Sequence, residues 1–213
     1  YSDLSSKQII TMDWMDGIHL SEFTDKNNNQ ELANQIGQAL WDFYMFQIHN
    51  LKKVHADPHP GNFLVSKKGN LIALDFGCMK TIPLDFYNPY FVLAKQETLD
   101  NEALFIEKMY DLDILRKEDP KEEFEFFKEM FHEMLTIFTQ PFHVKEFNFS
   151  DAAFFGRISE FGERYSKNAE LRSYNASRGS KHFIYMNRTF FGLYNLMFDL
   201  KAEGIKINNF MNL

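Results

Sequence analysis

One polar loop, followed by a short hairpin and a second polar turn, constrains this chain more than any other part of its sequence. The loop, His55–Asn62, reads His-Ala-Asp-Pro-His-Pro-Gly-Asn, and Asp75-Phe76-Gly77 follows further on. Between them lie two short apolar runs, Phe63–Val65 and Leu71–Leu74, around a polar turn that contains glycine. Such an arrangement predicts a β-hairpin. We therefore expect the loop and the Asp-Phe-Gly turn to form neighbouring rigid segments.

The residue types in these two segments suit the handling of a metal-bound triphosphate. Mg²⁺ prefers oxygen ligands, keeps several waters and takes only one or two carboxylates from the protein. Asn62 and Asp75 are the candidate metal ligands. Asp57 then remains to accept a hydrogen bond from the attacking hydroxyl or water, while Pro58 and Pro60 fix the path of the loop. The pattern predicts phosphoryl transfer.

Each half of the pattern alone has a simpler explanation. An isolated Asp-Phe-Gly is an ordinary turn after a strand, and His55 with His59 could be taken for a metal-binding pair at helical spacing. The prolines between and after these histidines forbid that helix. Both halves in order, joined by a predicted hairpin, are far more specific than either half.

Together these motifs resemble the UbiB-like (AarF-type) atypical kinases, a branch of the protein-kinase-like superfamily associated with ubiquinone biosynthesis and isoprenoid-lipid metabolism. Residues 4–17 are similar to the stretch of that family that leads into the hinge between the two kinase lobes. The specific resemblance covers roughly the first 80 residues. It implies ATP and Mg²⁺ as cofactors, and water or a small, isoprenoid-linked or other lipid acceptor.

The resemblance also implies a role for individual residues. Asp57 would be the catalytic-loop aspartate, with Asn62 and Asp75 as the metal ligands. His59 stands where protein kinases usually place a phosphate-contacting lysine, and we count it with Asp57 among the catalytic candidates. Adenine would contact backbone groups of the hinge residues Met12, Asp13, Trp14 and Met15.

The chain departs from ordinary protein kinases in ways that bear on its substrate. Ala56 precedes Asp57, so that position offers no arginine to sense a phosphorylated activation loop. Only a few residues separate Gly77 from Pro83, and no Ala-Pro-Glu signature follows. A peptide-docking platform is therefore not expected, and small-molecule kinase or ATPase activity is favoured over protein kinase activity.

We expect residues 1–213 to form one domain, mainly α with a small β-hairpin, that corresponds to a protein-kinase-like C-lobe. Its parts would be a hinge-like segment (1–20), the helix, catalytic loop, hairpin and Asp-Phe-Gly (30–82), and a helical remainder (83–213). A phosphate-binding loop and a strand lysine are missing from the sequence. We therefore expect this chain to be the C-terminal lobe of a longer protein. The N-terminal lobe of that protein would pack against this lobe and would be needed for activity.

Apolar periodicity predicts the helices of this lobe. A long helix should run from about residue 32 to 48, with later helices at about 84–99, 101–110, 120–138, 151–165 and 181–202. Pro89 should shift or kink the first of these later helices. The clearest loops are 140–142 and 166–180. The 24 phenylalanines are expected to pack the core.

Charge and cysteine content limit the partners. The net charge of −7 argues against a nucleic-acid-binding surface. Between Arg164 and Arg188 basic residues dominate, and we expect them to pair with acidic residues around Glu123; the alternative is a patch for an anionic substrate or for peripheral contact with membrane headgroups. Cys78 is the single cysteine and is expected to be an inert core residue, in keeping with a cytoplasmic protein, peripheral at most at the inner face of a membrane.

Two other function classes remain open on sequence grounds. One is a regulatory pseudokinase module that binds nucleotide or lipid with little turnover. The other is an aminoglycoside- or choline-type small-molecule kinase. The intact set of Asp57, Asn62 and Asp75 favours an enzyme, and Pro58 with the hinge-like segment favours the UbiB-like group.

Overall fold

Helices make up most of the structure, a computed structural model that describes residues 1–174 and 178–207. In chain order they are α1 (Leu20–Lys26), α2 (Gln30–Phe46), α3 (Leu84–Leu93), α4 (Gln96–Leu99), α5 (Glu102–Asp111), α6 (Lys121–Phe138), α7 (Ala152–Ser166), α8 (Ala169–Ser173) and α9 (Lys181–Asp199). The strands are β1 (Ile18–His19), β2 (Lys53–His55), β3 (Phe63–Val65), β4 (Leu71–Ala73), β5 (Met79–Thr81), β6 (Glu146–Phe147) and β7 (Ile205–Lys206). The predicted fold class, mainly α with a small hairpin, is confirmed.

The long helix α2 leads the chain into the loop that carries Asp57, as predicted. It begins where the Asn29 side chain accepts a hydrogen bond from the Leu32 amide at 3.1 Å, because such a cap satisfies one of the free amides of the first turn. A π-helical turn, Gln47–Leu51, extends it, and Lys52 ends that turn in the left-handed conformation with φ +50°. The buried Gln47 side chain then accepts from the His55 amide at 3.0 Å, which fixes the chain just before Asp57.

The predicted hairpin is present. In β3 and β4, Phe63 lies opposite Ala73, and β1 adds a third antiparallel strand on the other edge of β3. Gly17, just before β1, lies so close to the hairpin that a Cβ atom there would be 2.9 Å from the Val65 carbonyl oxygen. The end of the hinge-like segment is thereby held against the hairpin.

Aromatic side chains fill the interior, as predicted from the phenylalanine content. The largest fully buried rings belong to Trp41, Tyr44, Phe63, Phe105, Phe127, Phe149, Phe154 and Tyr194. They come from both halves of the chain, and contacts such as Trp41 with Phe149, 5.6 Å between ring centroids, join α2 to the helical remainder.

The helices differ from the predicted ones in several places: α1 was not predicted, and a 3-10 helix, Gln140–His143, occupies the loop predicted over 140–142. The helix expected over 84–99 is divided into α3 and α4, although Pro89 lies within α3 without ending it. The helix α9 ends at Asp199 rather than at Ala202, because Lys201 adopts a left-handed conformation with φ +54°. The loop expected over 166–180 is wrong in part, since it contains α8; residues 175–177 of that loop lie outside the described residues.

Within the described ranges, four of the six Lys and Arg side chains between residues 164 and 188 form ion pairs, but Arg178 alone pairs near Glu123 as expected. Arg178 is nearly fully buried, donates to Asp119 at 2.7 Å and to Glu123, and lies over the Phe127 ring at 4.4 Å. Arg164 pairs with Glu133 at the surface. Arg178 therefore belongs to the interior and does not extend a surface patch. In the described ranges, every helix is too short or too polar to traverse a lipid bilayer.

Candidate active site

Backbone pairing brings the two polar segments together. The strand before Asp57 pairs antiparallel with the strand after Gly77, so that His55 lies opposite Met79 and the Ala56 amide donates to the Cys78 carbonyl at 2.9 Å. On the hairpin side, the Leu74 amide donates to the carbonyl of Asn62 at 2.9 Å. This pairing involves Asn62 directly. It also fixes the positions of Asp57 and Asp75, which directly follow the paired residues Ala56 and Leu74.

The loop His55–Asn62 is closed by hydrogen bonds of its own. The Asn62 side-chain amide donates to the Asp57 carbonyl at 3.0 Å. The Gly61 amide donates to Nδ1 of His59 at 3.1 Å, which places the proton of a neutral His59 ring on Nε2. His59 is exposed, and its Nε2–H is the group it can offer to a phosphate oxygen. The loop geometry is therefore set before any ligand binds.

Asn62 and Asp75 offer oxygen atoms of the kind that Mg²⁺ takes. Because Nδ2 of Asn62 binds the Asp57 carbonyl, its Oδ1 remains as a ligand atom. Asp75 is exposed, and its Oδ1 accepts from the Gly77 amide at 2.6 Å. No basic side chain within residues 1–174 and 178–207 forms an ion pair with Asp75. One amide oxygen and one unpaired carboxylate fit a cation that keeps most of its water.

The metal-binding pair of histidines is not formed. His55 is buried beneath the loop, with its Nδ1 3.5 Å from the Tyr44 hydroxyl and its ring 6.3 Å from that of Phe76. Burial lowers the pKa of His55, and the carboxylates of Asp57 and Asp75 oppose that shift. His55 is thus a neutral support beneath both carboxylates. No group of three or more His, Cys, Asp or Glu side chains in the described ranges could hold a metal ion.

The expectation that Cys78 is a buried core residue is wrong, because Cys78 is exposed. Phe76 beside it is also 53% exposed, and its ring contacts Phe43 and His55. In the described ranges, the strand β5 that follows this turn pairs with the short strand β2 alone. The Asp-Phe-Gly turn therefore lies at the surface.

Arg188, which the sequence patterns placed only within the basic segment 164–188, reaches Asp57. Arg188, on α9, donates from Nη2 to Oδ1 of Asp57 at 2.6 Å. Both side chains are partly exposed, at 63% and 41%, so the pair lies at the surface of the site. Because 131 positions separate Arg188 from Asp57, no local motif could link the two residues.

The same helix packs tightly against the loop. A Cβ atom at Gly192 would lie 2.3 Å from Cγ of Pro58 and 3.1 Å from its carbonyl oxygen. Glycine costs roughly 1 kcal/mol in a helix interior relative to alanine, so its presence here has a packing reason. Gly192 and Arg188, one turn apart, both hold α9 against the catalytic loop.

The predicted adenine-contacting residues are on an exposed, irregular segment. Trp14 is 90% exposed, and its indole donates to Asp16 at 3.2 Å. Asp13 accepts from the Tyr1 hydroxyl. In the described chain, no backbone hydrogen bond involves Met12 to Met15, which leaves their amide and carbonyl groups free for a ligand.

Comparison with known proteins agrees with the motifs. The family model described as the ABC1 atypical kinase-like domain matches residues 1–109. An ABC1 family protein of Schizosaccharomyces pombe is 32% identical over 113 residues, which are 53% of this chain and 20% of that protein. AarF domain-containing protein kinase 1 of Xenopus tropicalis is 33% identical over 95 residues, 42% of this chain and 18% of the relative.

Other similarities extend the picture to plants and to a solved structure. The chloroplastic protein Activity of BC1 complex kinase 3 of Arabidopsis thaliana is 32% identical over 82 residues, 38% of this chain and 11% of that protein. The matches therefore span a fifth or less of these curated relatives. A solved complex of Rv3197 with erythromycin from Mycobacterium tuberculosis superposes with a TM-score of 0.65 and 17% identity, over 93% of this chain and 47% of the other. That likeness shows the fold.

Proposed function

Because the chain belongs to the ABC1 atypical kinase-like family, we propose that it carries the catalytic loop and metal ligands of a Mg²⁺- and ATP-dependent phosphotransferase or ATPase. The observation that supports this most is the convergence of three groups. Hydrogen bonds within the loop and between strands hold Asp57, Asn62 and Asp75 together, and Asp75 has no basic partner in the described ranges. A purely structural turn would not need an uncompensated carboxylate beside a second one.

Each of the three groups has a distinct task in this proposal. Asn62 Oδ1 and the Asp75 carboxylate would hold Mg²⁺, which when bound neutralises charge on the phosphates. Asp57 accepts a hydrogen bond from the attacking hydroxyl or water and so orients its oxygen toward the terminal phosphorus. The Arg188 guanidinium engages only Oδ1 of Asp57, which leaves Oδ2 for this contact.

The remaining parts of the proposal concern nucleotide and acceptor. The free backbone groups between Met12 and Met15 would bind adenine, and His59 Nε2–H would donate to a phosphate oxygen. The acceptor would be water or a small, isoprenoid-linked molecule, as in the quinone and lipid metabolism with which the family is associated. The short connection from Gly77 to α3 supports a small acceptor, because it leaves little chain on which a peptide could dock.

Two isosteric substitutions test the assigned tasks in the whole protein that contains this chain. Asp75→Asn should weaken Mg²⁺-dependent nucleotide binding at least about tenfold, because a metal ligand acts in the ground state. Asp57→Asn should leave nucleotide affinity nearly unchanged and lower turnover by about 10²-fold or more, because an orienting base acts mainly in the transition state.

The measurements are calorimetric titration with Mg-ADP and a phosphate-release assay. Asp85→Asn is the matched control, since Asp85 is an exposed carboxylate at the start of α3, outside the site. Equal nucleotide affinity in Asp75→Asn and Asp85→Asn would refute the metal assignment. Nucleotide binding without turnover in the unsubstituted protein would instead favour a regulatory nucleotide-binding module.

A further inference from the structure

An apolar cavity of about 380 Å³ lies between α3, α6 and α9, beside the catalytic loop but separate from the metal ligands. Its walls include Tyr90 from α3, Met134 and Phe138 from α6, and Phe190 and Phe191 from α9. The volume falls within the range of small-molecule binding sites. Most of the surface that faces the cavity is apolar, although polar groups of Tyr90, Thr139, Asn187, Arg188 and Tyr194 also line it.

The hydroxyl groups around the cavity are already satisfied within the protein. Tyr194 donates to the Phe138 carbonyl at 2.9 Å, and Thr139 donates to the Leu135 carbonyl at 2.7 Å. Tyr90 donates to Oδ1 of Asn187 at 3.4 Å. Apart from Asn187 and Arg188, the walls therefore offer hydrocarbon contacts, and the ligand group complementary to them is a hydrocarbon chain.

The mouth of the cavity adjoins the catalytic aspartate. Arg188 and Phe191 line the cavity and are also exposed, so the opening lies at these residues. The guanidinium of Arg188 presents five N–H donors, of which the contact with Asp57 uses one nitrogen. A cation thus stands where an apolar ligand chain would emerge.

We infer that this cavity binds the hydrocarbon tail of a single-chain amphiphile whose anionic head group is bound by Arg188. The head is anionic because Arg188 offers only donors and a positive charge. Asp57 competes with the head group for the same guanidinium and repels it. This binding requires no nucleotide and therefore stands or falls independently of the proposed phosphoryl transfer.

Chain length gives the first test. Octanoate, decanoate and dodecanoate are titrated calorimetrically into the protein without nucleotide, below their micelle-forming concentrations. Each added methylene should tighten binding about fourfold until the cavity is full, since that is the gain from burying one methylene group. Affinity that does not depend on chain length would overturn the proposal.

Substitutions locate the tail. Ala94 lines the cavity and is nearly buried, so Ala94→Leu should fill part of it and weaken dodecanoate binding at least tenfold while leaving octanoate much less affected. Met134→Trp fills the same cavity from α6 and serves if Ala94→Leu lowers the melting temperature. Dodecanoate binding as tight as in the unsubstituted protein, in a folded filled variant, would place the tail elsewhere and refute the site.

A second pair of substitutions locates the head group. Arg188→Gln should abolish most of the preference for decanoate over the uncharged decanol. Lys181→Gln, which removes an exposed cation on the same helix but outside the cavity lining, should keep that preference. Asp57→Asn should tighten decanoate binding, because it removes the competing carboxylate. An unchanged preference in Arg188→Gln would contradict the role of Arg188.

Discussion

Replacing Gly192 by alanine should damage the catalytic loop through direct contact. The new Cβ would lie 2.3 Å from Cγ of Pro58, whereas ordinary contacts begin near 3.4 Å, so helix and loop must separate by about 1 Å. Pro58 is a rigid ring next to Asp57 and cannot rotate away. Overpacking of this kind typically costs about 1–3 kcal/mol.

A matched substitution isolates that strain. Gly162, in α7, has no neighbouring atom within 4 Å of the position that a Cβ would take, so Gly162→Ala should gain only the helix propensity of alanine, about 1 kcal/mol. Both variants gain this term, and the difference between their free energies of unfolding therefore measures the clash. We expect Gly192→Ala to be the less stable variant by about 1–3 kcal/mol in urea unfolding.

The same displacement should reach the chemistry. A shift of about 1 Å at a reacting group can cost about 10²-fold in rate, so phosphate release by Gly192→Ala should fall by that order. Mg-ADP affinity should change little, because the clash falls on Pro58, next to Asp57, and not on the metal ligands. Gly162→Ala should retain full activity. If the two alanine variants are equally stable and equally active, then α9 does not constrain the loop as the structure indicates.

Two further predictions concern stability away from the site. Arg178→Gln should lower the free energy of unfolding by about 3–5 kcal/mol, because it leaves Asp119 and Glu123 without their buried cation. As a control, Arg172→Gln at an exposed position should change that free energy by less than about 0.5 kcal/mol. Equal stability of the two variants in urea unfolding would refute the role of the buried ion pairs. Burial, reinforced by the charge of Lys52, lowers the pKa of His49 from 6.5 to about 4. Because the folded state disfavours protonation of His49, the free energy of unfolding should fall by about 3 kcal/mol as the pH falls from about 6.5 to 4. His49→Gln should remove that part of the pH dependence, measured as the slope of unfolding free energy against pH.

The parts of this molecule that could be predicted from sequence are those fixed by local physics. The hairpin follows from apolar runs around a glycine turn, and the loop conformation follows from its prolines and glycine, so Asp57 and Asn62 are brought together by residues within five positions of each other. The long helices follow from their apolar periodicity. These features need no knowledge of the rest of the chain.

The wrong predictions concern features that depend on distant contacts or on the choice between nearly equivalent local conformations. Cys78 has apolar character, but it lies in the exposed turn between Asp75 and β5, and its burial depended on how the rest of the chain covers that turn. The end of α9 is set by the left-handed conformation of Lys201, a residue type that gives no such signal. Gly192 is visible in the sequence as a glycine within a helix, yet its reason, the Pro58 ring, is supplied by a segment more than 130 positions away.

The pair of Arg188 and Asp57 is a part of the candidate site that local sequence patterns could not predict. Protein kinases usually carry an arginine directly before the catalytic aspartate, and here that position is Ala56, which is buried with 1% exposure and has no room for a longer side chain. A guanidinium still reaches Asp57, but from Arg188 on α9. The family match ends at residue 109, so the positive charge beside Asp57 comes from a part of the chain that the match does not cover. Arg188 also lines the apolar cavity. A ligand bound in that cavity would therefore alter the ion pair between Arg188 and Asp57 without contacting Asn62 or Asp75.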